Sequence, residues 1–341
     1  MATEDLQLSL TRHGFILGGG ALASVAIVTP ARAADFNLKY GHDLPADHPV
    51  NVRSVEAFAR IAKATNGRVQ IKSFPTSQLG SDPAMISQLR SGATEMLAMP
   101  GAFLNSVVPV ASIENVAYAF PNREAVFRAM DGDLGAVIRD EIRARGMMVL
   151  DKIWENGFRD ITTSTKPIHN VADLAGLKIR VSPGQIRVDT FKSLGAAPTP
   201  IALSELYTAL QTHVVDAQEN PLLLIEQQKF YEVQKYVSMS DHIWSGYWTL
   251  VNQDVWNKLG KQYQDVISRE MARATLAARN DTVLLSKSVR DKLSRRGMAF
   301  NECDKNSFRQ KLIDAKYYER WKETFGPKAW SALEKYANKL A

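Results

Sequence analysis

Two side chains near the middle of the chain are suited to holding an organic anion. Arg180 closes a short apolar run, Leu177-Lys178-Ile179-Arg180-Val181, and Asn220 ends Val215-Asp216-Ala217-Gln218-Glu219-Asn220 ahead of Pro221. A guanidinium offers two parallel N–H donors in a planar fork that matches a carboxylate and stays charged at physiological pH. An asparagine amide can add a donor to the same anion. Pairing of Arg180 with a structural carboxylate at a sheet edge is the competing use, and the pattern alone leaves both open. No motif for covalent, phosphate or zinc chemistry stands beside them: the chain has no GxSxG elbow, no phosphate loop and no HExxH. His42, Asp43, Asp47 and His48 crowd one loop, but their spacing matches no metal motif, so a ligand-facing or plain surface loop is expected. Cys303 is the one cysteine. It can form no intramolecular disulfide and is expected as a small buried side chain.

The elements that must position Arg180 and Asn220 alternate in type. After the Arg180 strand come a helix (Gln185–Leu194, stopped by Gly195), a strand (Pro200–Leu203), a helix (Ser204–Thr212) and a strand from Val214 to Asn220. Strand–helix–strand alternation predicts a parallel sheet with crossover helices, hence an α/β fold. In such sheets ligands sit beyond the carboxyl ends of the strands, where Arg180 and Glu219–Asn220 both fall. Upstream, alternating Phe36, Leu38 and Tyr40 predict a first strand, Val52–Ala64 a helix and Val69–Phe74 a strand. Ser81-Asp82-Pro83 reads as a helix start with a capping side chain ahead of proline. Glu95–Met99 is the next strand, and it runs into Pro100-Gly101-Ala102-Phe103, a loop almost without polar side chains. Helical patterning covers 122–145, interrupted at Asp131-Gly132-Asp133, and Met147–Ile153 reads as a strand. A helix is expected from Pro221 to about Tyr236, then a strand over Ser240–Val251 with Trp244 and Trp248 on one face. Asp254–Arg296 reads as helix broken near Gly260, Met298–Asn301 as a strand and Lys305–Leu340 as helices.

The 341 residues suffice for two domains, and Lys+Arg 42 against Asp+Glu 36 leaves a net charge of +6. The basic residues are mixed with acids, as in Arg139-Asp140-Glu141-Ile142-Arg143, so a nucleic-acid surface is not expected. Arg12, the apolar Phe15–Val28 and Ala31-Arg32-Ala33 form the pattern of an export signal cleaved near Ala34. The stretch is too short and glycine-rich to span a bilayer. A soluble exported protein is the expectation, by the general or the twin-arginine route.

Beyond residue types, long stretches resemble the DctP-type solute-binding proteins of tripartite ATP-independent periplasmic (TRAP) transporters. The resemblance rests on Leu177–Val181, Pro200-Ile201-Ala202-Leu203-Ser204-Glu205-Leu206-Tyr207-Thr208-Ala209-Leu210-Gln211-Thr212, Val215–Pro221 and Lys229–Tyr236. Ala217 departs from the glycine that many relatives carry. The resemblance implies a periplasmic-binding-protein-like fold of two hinged α/β domains with the ligand in the interdomain cleft. With the signal peptide read at 1–33, it places domain I at 34–156 plus 246–285 and domain II at 157–245 plus 286–341. It also makes Arg159, in Trp154-Glu155-Asn156-Gly157-Phe158-Arg159-Asp160, a second arginine near the ligand, with the bridging of hinge carboxylates as its alternative. The implied ligand residues are then Arg180, Asn220, Arg159, Glu219, Asp82, Asp43, Phe103, Leu203 and Trp244. The implied partners are a small organic acid and the transporter's membrane subunits, with no cofactor, no nucleic acid, no metal and a monomeric state. The apolar Met99–Phe103 loop points to a small 2-hydroxy or 2-oxo monocarboxylate with a branched or aromatic side chain, a uronate being the alternative ligand. A periplasmic enzyme acting on a carboxylate, or a sensor subunit of the same fold, are the competing functions.

Overall fold

The first half of the chain builds, in order, β1 (Phe36–Gly41), α1 (Pro49–Ala64), β2 (Val69–Phe74), α2 (Asp82–Ser91), β3 (Met96–Pro100), α3 (Arg123–Asp131), α4 (Asp133–Ala144), β4 (Met147–Val149) and β5 (Trp154–Thr163). The second half adds β6 (Lys178–Val181), α5 (Gln185–Ser193), β7 (Ala197–Pro200), α6 (Leu203–Gln211), β8 (Ala217–Asn220), α7 (Leu222–Gln227), β9 (Tyr236–Asn252), α8 (Gln253–Arg295), β10 (Ala299–Glu302), α9 (Lys305–Asp314) and α10 (Tyr317–Glu334). This is a computed structural model, and it describes residues 34–340. The expected signal peptide lies outside the described residues.

The strands join one sheet in the order β2-β1-β3-β9-β5-β8-β6-β7, with β4 and β10 also paired to β9. Parallel pairs flank both ends: β1 with β2 and β3, and β6 with β7 and β8. The α/β class and the parallel alternation around Arg180 are therefore as expected. Such strands are covered on both faces and read as apolar runs. In β3, Leu97 and Met99 enter one apolar core while Met96 and Ala98 enter the other.

Two long strands tie the ends of the sheet together. The 17-residue β9 pairs with β10 through Tyr236–Met239 and with β3 through Tyr247–Val251. β5 runs antiparallel to it, with register shifts between Glu155 and Gly157 and between Arg159 and Ile161. Such irregularities bend a strand and re-aim its side chains, and they bracket Arg159. The 43-residue α8 lies along α1, with Arg53 bound to Asp281 at 2.6 and 3.0 Å and Arg60 to Glu270 at 2.9 Å. It kinks at Gly260, whose φ of 72° suits glycine.

Some boundaries differ from expectation. β7 occupies Ala197–Pro200 instead of Pro200–Leu203, because α6 starts at Leu203. The helix expected to reach Tyr236 ends at Gln227, since Lys229 adopts a left-handed conformation (φ 56°) and turns the chain toward β9. The His42–His48 loop is no surface loop: His42, Asp43 and His48 are all buried. Burial pulls His42 down to about 4 and His48 to about 3, so both are neutral at pH 7. No cluster of metal-ligating side chains occurs among the described residues.

Candidate functional site

The carboxyl ends of the parallel strands converge on one closed cavity. Asp43 follows β1, Pro100 ends β3 and Phe103 follows it, Ser182 and Arg187 follow β6, Leu203 follows β7, and Asn220 ends β8. With Asn156 and Arg159 of β5, Leu224 of α7 and Tyr247 of β9, they line a tight cavity of about 10 Å³, room for little more than one water molecule. This is where the strand-end rule puts a ligand.

Arg159 is held by protein groups. Its Nε and Nη2 grip the Glu219 carboxylate, with Nη2 2.8 Å from Oε1, and Nη2 also donates to Asn220 Oδ1 at 2.8 Å. Glu219 accepts a further bond from His242 Nε2 at 3.2 Å, while His242 Nδ1 meets the Ser240 hydroxyl at 2.8 Å. Burial lowers the His242 pKa, so its neutral ring donates through Nε2 and accepts through Nδ1. Burial alone would raise Glu219, but the Arg159 charge and the His242 bond outweigh it and hold Glu219 well below the usual carboxylate range.

Arg180 and Arg187 are different. Arg180 is buried, donates Nε to the Ile201 carbonyl at 2.8 Å and leaves Nη1 without a partner. Arg187 is also buried and places Nε and Nη2 on the neutral Asn115 Oδ1 at 3.0 and 2.8 Å. Neither forms an ion pair among the described residues, and burial pulls them down to about 10 and about 9. The nearby acids are reluctant to ionise. Burial pushes Asp43 up, against the Tyr247 hydroxyl that donates to it at 2.9 Å. Burial and the Asp43 charge push Asp82 well up. Arg187 in the lining and Arg180 beside it are thus buried cationic forks with spare donors, next to carboxyl groups whose ionisation burial opposes. The two forks can neutralise one small anion.

A sequence model of the bacterial extracellular solute-binding proteins, family 7 (DctP), matches residues 40–324. The chain belongs to the DctP family. A solute-binding protein of Roseobacter denitrificans is 33% identical over 297 residues, 86% of this chain and 89% of that one. A structure of that protein with bound L-galactonate covers 86% of this chain and 100% of its own, at 29% identity and a TM-score of 0.80. A TRAP periplasmic solute-binding protein of a Polaromonas species, bound to D-erythronate, shows 31% identity and a TM-score of 0.84 over 88% of this chain and 98% of that one. An uncharacterised Sinorhizobium fredii protein is 36% identical over 267 residues, and this chain spans 49% of its length.

Within this DctP-family chain the expected residues fall into four groups. Arg159, Asn220, Asp43, Phe103 and Leu203 line the cavity. Arg180 and Asp82 lie in the same charge cluster, as neighbours of Asp43. Glu219 sits behind Arg159 as its counter-charge, not in the lining. Trp244 is a correction: it is core, edge-on to Phe127 at 5.9 Å, as is Trp248, because their shared face of β9 turns into the apolar cluster. The residue on the alternate face, Tyr247, lines the cavity instead. Asn220 also departs from its expected role, since its amide donates to Gln218 Oε1 at 2.6 Å while its oxygen takes the Arg159 bond. Ser81 makes no side-chain cap on α2, and Asp82 is buried. Cys303 is half-buried, its thiol on the Ile168 carbonyl at 3.1 Å. Arg187, Asn156, Ser182 and Tyr247 line the cavity without any sequence motif to mark them; a second arginine seven residues after Arg180 is the one available signal.

Under the Phe103 turn lies Glu114, whose two carboxyl oxygens have no hydrogen-bond partner. A Cβ on Gly101 would run into the Ala111 carbonyl and this carboxyl group, so glycine lets the turn close over them. Burial raises Glu114 from 4.5 to about 8. Between those values the folded chain keeps a proton that the unfolded chain releases, so stability falls as pH rises, at about 1.4 kcal/mol per unit for one group. Glu114→Gln removes that proton. Urea unfolding from pH 5 to 8 is expected to give a stability curve at least 1 kcal/mol flatter than wild type by the upper end; parallel curves would show that Glu114 ionises freely when folded.

Proposed function

We propose that the chain is the solute-binding subunit of a TRAP transporter, holding a small hydroxylated monocarboxylate and delivering it to the membrane subunits. The observation that carries this is the pair Arg180 and Arg187: buried forks with spare donors and no ion pair, Arg187 lining the tight cavity and Arg180 beside its Asp43. A buried charge without a counter-charge is costly, and a ligand carboxylate supplies one. The rest of the lining favours hydroxyls over a branched apolar side chain. The Met99–Phe103 side is apolar, but Asp43, Asn156 and Tyr247 stand with it, and Asn156 Oδ1 has no donor. A hydroxyl hydrogen fits there; a methyl group would leave the oxygen unpaired, at about 1–3 kcal/mol. The D-erythronate and L-galactonate bound by two relatives are hydroxylated acids of this kind. A hydroxylated four- to six-carbon acid of this kind therefore replaces the branched or aromatic acid expected from the loop alone.

Binding closes the two domains, 34–156 plus 246–285 and 157–245 plus 286–341, about the β5–β9 crossing, in a monomer exported to the periplasm. No described helix is long and apolar enough to cross a membrane. A thermal-shift screen over organic acids, followed by calorimetry, tests the assignment. Hydroxylated four- to six-carbon acids are expected to bind at least tenfold more tightly than sialic acid, a difference of about 1.4 kcal/mol, and without turnover. The radius of gyration should shrink at saturating ligand. Turnover of any acid would favour an enzyme, and unchanged scattering would remove domain closure.

A further inference from the structure

We infer that Arg187 contacts the ligand and sets selectivity for acids carrying hydroxyls beyond the anchored carboxylate, with Asn115 as the residue that positions it. The inference rests on the carboxylate-binding assignment above and extends it to a residue outside the Arg180–Asn220 framework.

Three observations converge on Arg187. It lies in the first turn of α5, and that turn is pressed against the Phe103 side of the cavity. Gly184, the N-cap, has φ +145°, and a Cβ there would come within 2.9 Å of the Ala102 carbonyl oxygen. The guanidinium carbon stands 5.8 Å from the centre of the Phe103 ring. Second, Asn115 Oδ1 holds the guanidinium by one edge, through Nε and Nη2, and Nη1 has no hydrogen bond among the described residues. Third, the holder is neutral. A carboxylate in place of Asn115 would cancel the charge, as Glu219 cancels that of Arg159. The amide leaves the charge uncancelled and fixes the plane of the fork.

Chemistry then narrows what Nη1 can receive. Arg180, on the Ile201 side, supplies the cation for the carboxylate. The donor on the Phe103 side meets whatever else the ligand carries. A hydroxyl needs one donor and one acceptor. Arg187 Nη1 is the donor, and Asn156 Oδ1, which lacks a partner on the same lining, is the acceptor. A methyl or methylene group satisfies neither.

Two four-carbon acids separate this from a general charge effect: D-erythronate, and 2-hydroxybutanoate, which lacks its two distal hydroxyls. Calorimetry is run on wild type, Arg187→Met, Arg187→Lys, Asn115→Ala and Arg180→Ala, each checked for a cooperative thermal transition. Wild type is expected to prefer D-erythronate at least thirtyfold. Arg187→Met should reduce that ratio below fivefold by weakening D-erythronate, Arg187→Lys should recover part of it, and Asn115→Ala should fall between. Arg180→Ala should weaken both acids together. A wild type without the preference, or a preference that survives Arg187→Met, overturns the inference while leaving carboxylate binding in place. A wild type that binds neither of these acids nor any other in the screen removes the carboxylate assignment and this inference with it.

Discussion

Glu219→Leu is expected to destabilise the fold by about 3–5 kcal/mol, the cost of stranding a buried charge whose partner has been removed. Arg159 and Glu219 are both fully buried, and the carboxylate takes the arginine's Nε and Nη2 together with the His242 ring. Leucine leaves the guanidinium with the Glu219 main-chain carbonyl, the Asn220 oxygen and two hydroxyls as neutral acceptors. It also leaves the His242 Nε2 proton without an acceptor. The pH dependence has a defined sign. Glu219 is held below its unfolded value, so its contribution is present above the ordinary carboxylate range and disappears as pH falls through the folded value. Wild type and variant should therefore differ most near neutrality and approach each other in strong acid. Urea unfolding at pH 7 and pH 3 measures this. The double variant Arg159→Met, Glu219→Leu should recover much of the loss, since it removes the stranded charge. A single variant within about 1 kcal/mol of wild type at pH 7, the range of an exposed pair, would show that the pair is solvated.

Arg180→Ala acts in the opposite sense: the fold persists and the ligand is lost. Arg180 has no ion pair to break, and alanine removes a buried cation with an unpartnered Nη1. Affinity for the acid that wild type binds best should fall at least a hundredfold, about 2.7 kcal/mol. Ligand-induced stabilisation, which scales with the logarithm of ligand concentration over the dissociation constant, should vanish at concentrations that saturate wild type. Arg180→Lys should also bind poorly, because an ammonium is a point charge without the planar fork. Calorimetry on the folded variants decides it. Wild-type affinity in Arg180→Ala would leave Arg180 as a sheet-edge residue, the alternative its sequence position allows.

Much of this is legible in the order of the residues alone. The alternation from Arg180 to Asn220 determined a parallel sheet, because local periodicity and turn residues encode element type directly, and the strand-end rule made both residues candidates. Val69–Phe74 and the break at Gly260 could be read residue by residue. Arg187 could not. It stands on a helix with no motif to mark it, and it meets Asn115, 72 positions away in the chain, only once the chain has folded. Trp244 and Trp248 share a face by alternation, but the sequence does not say which face. The pairing of β9 with β3 and β5 decided that, sending both into the core and Tyr247 into the cavity. The same holds for charge. The sequence determined that Arg180 and Glu219 fall at strand ends, Asp43 just after a strand and Asp82 at a helix start, with Arg159 between them in the chain. Which of them cancel and which remain spare depends on contacts of a few ångströms between distant segments and on the loss of water around them, and those arise only when the chain has folded.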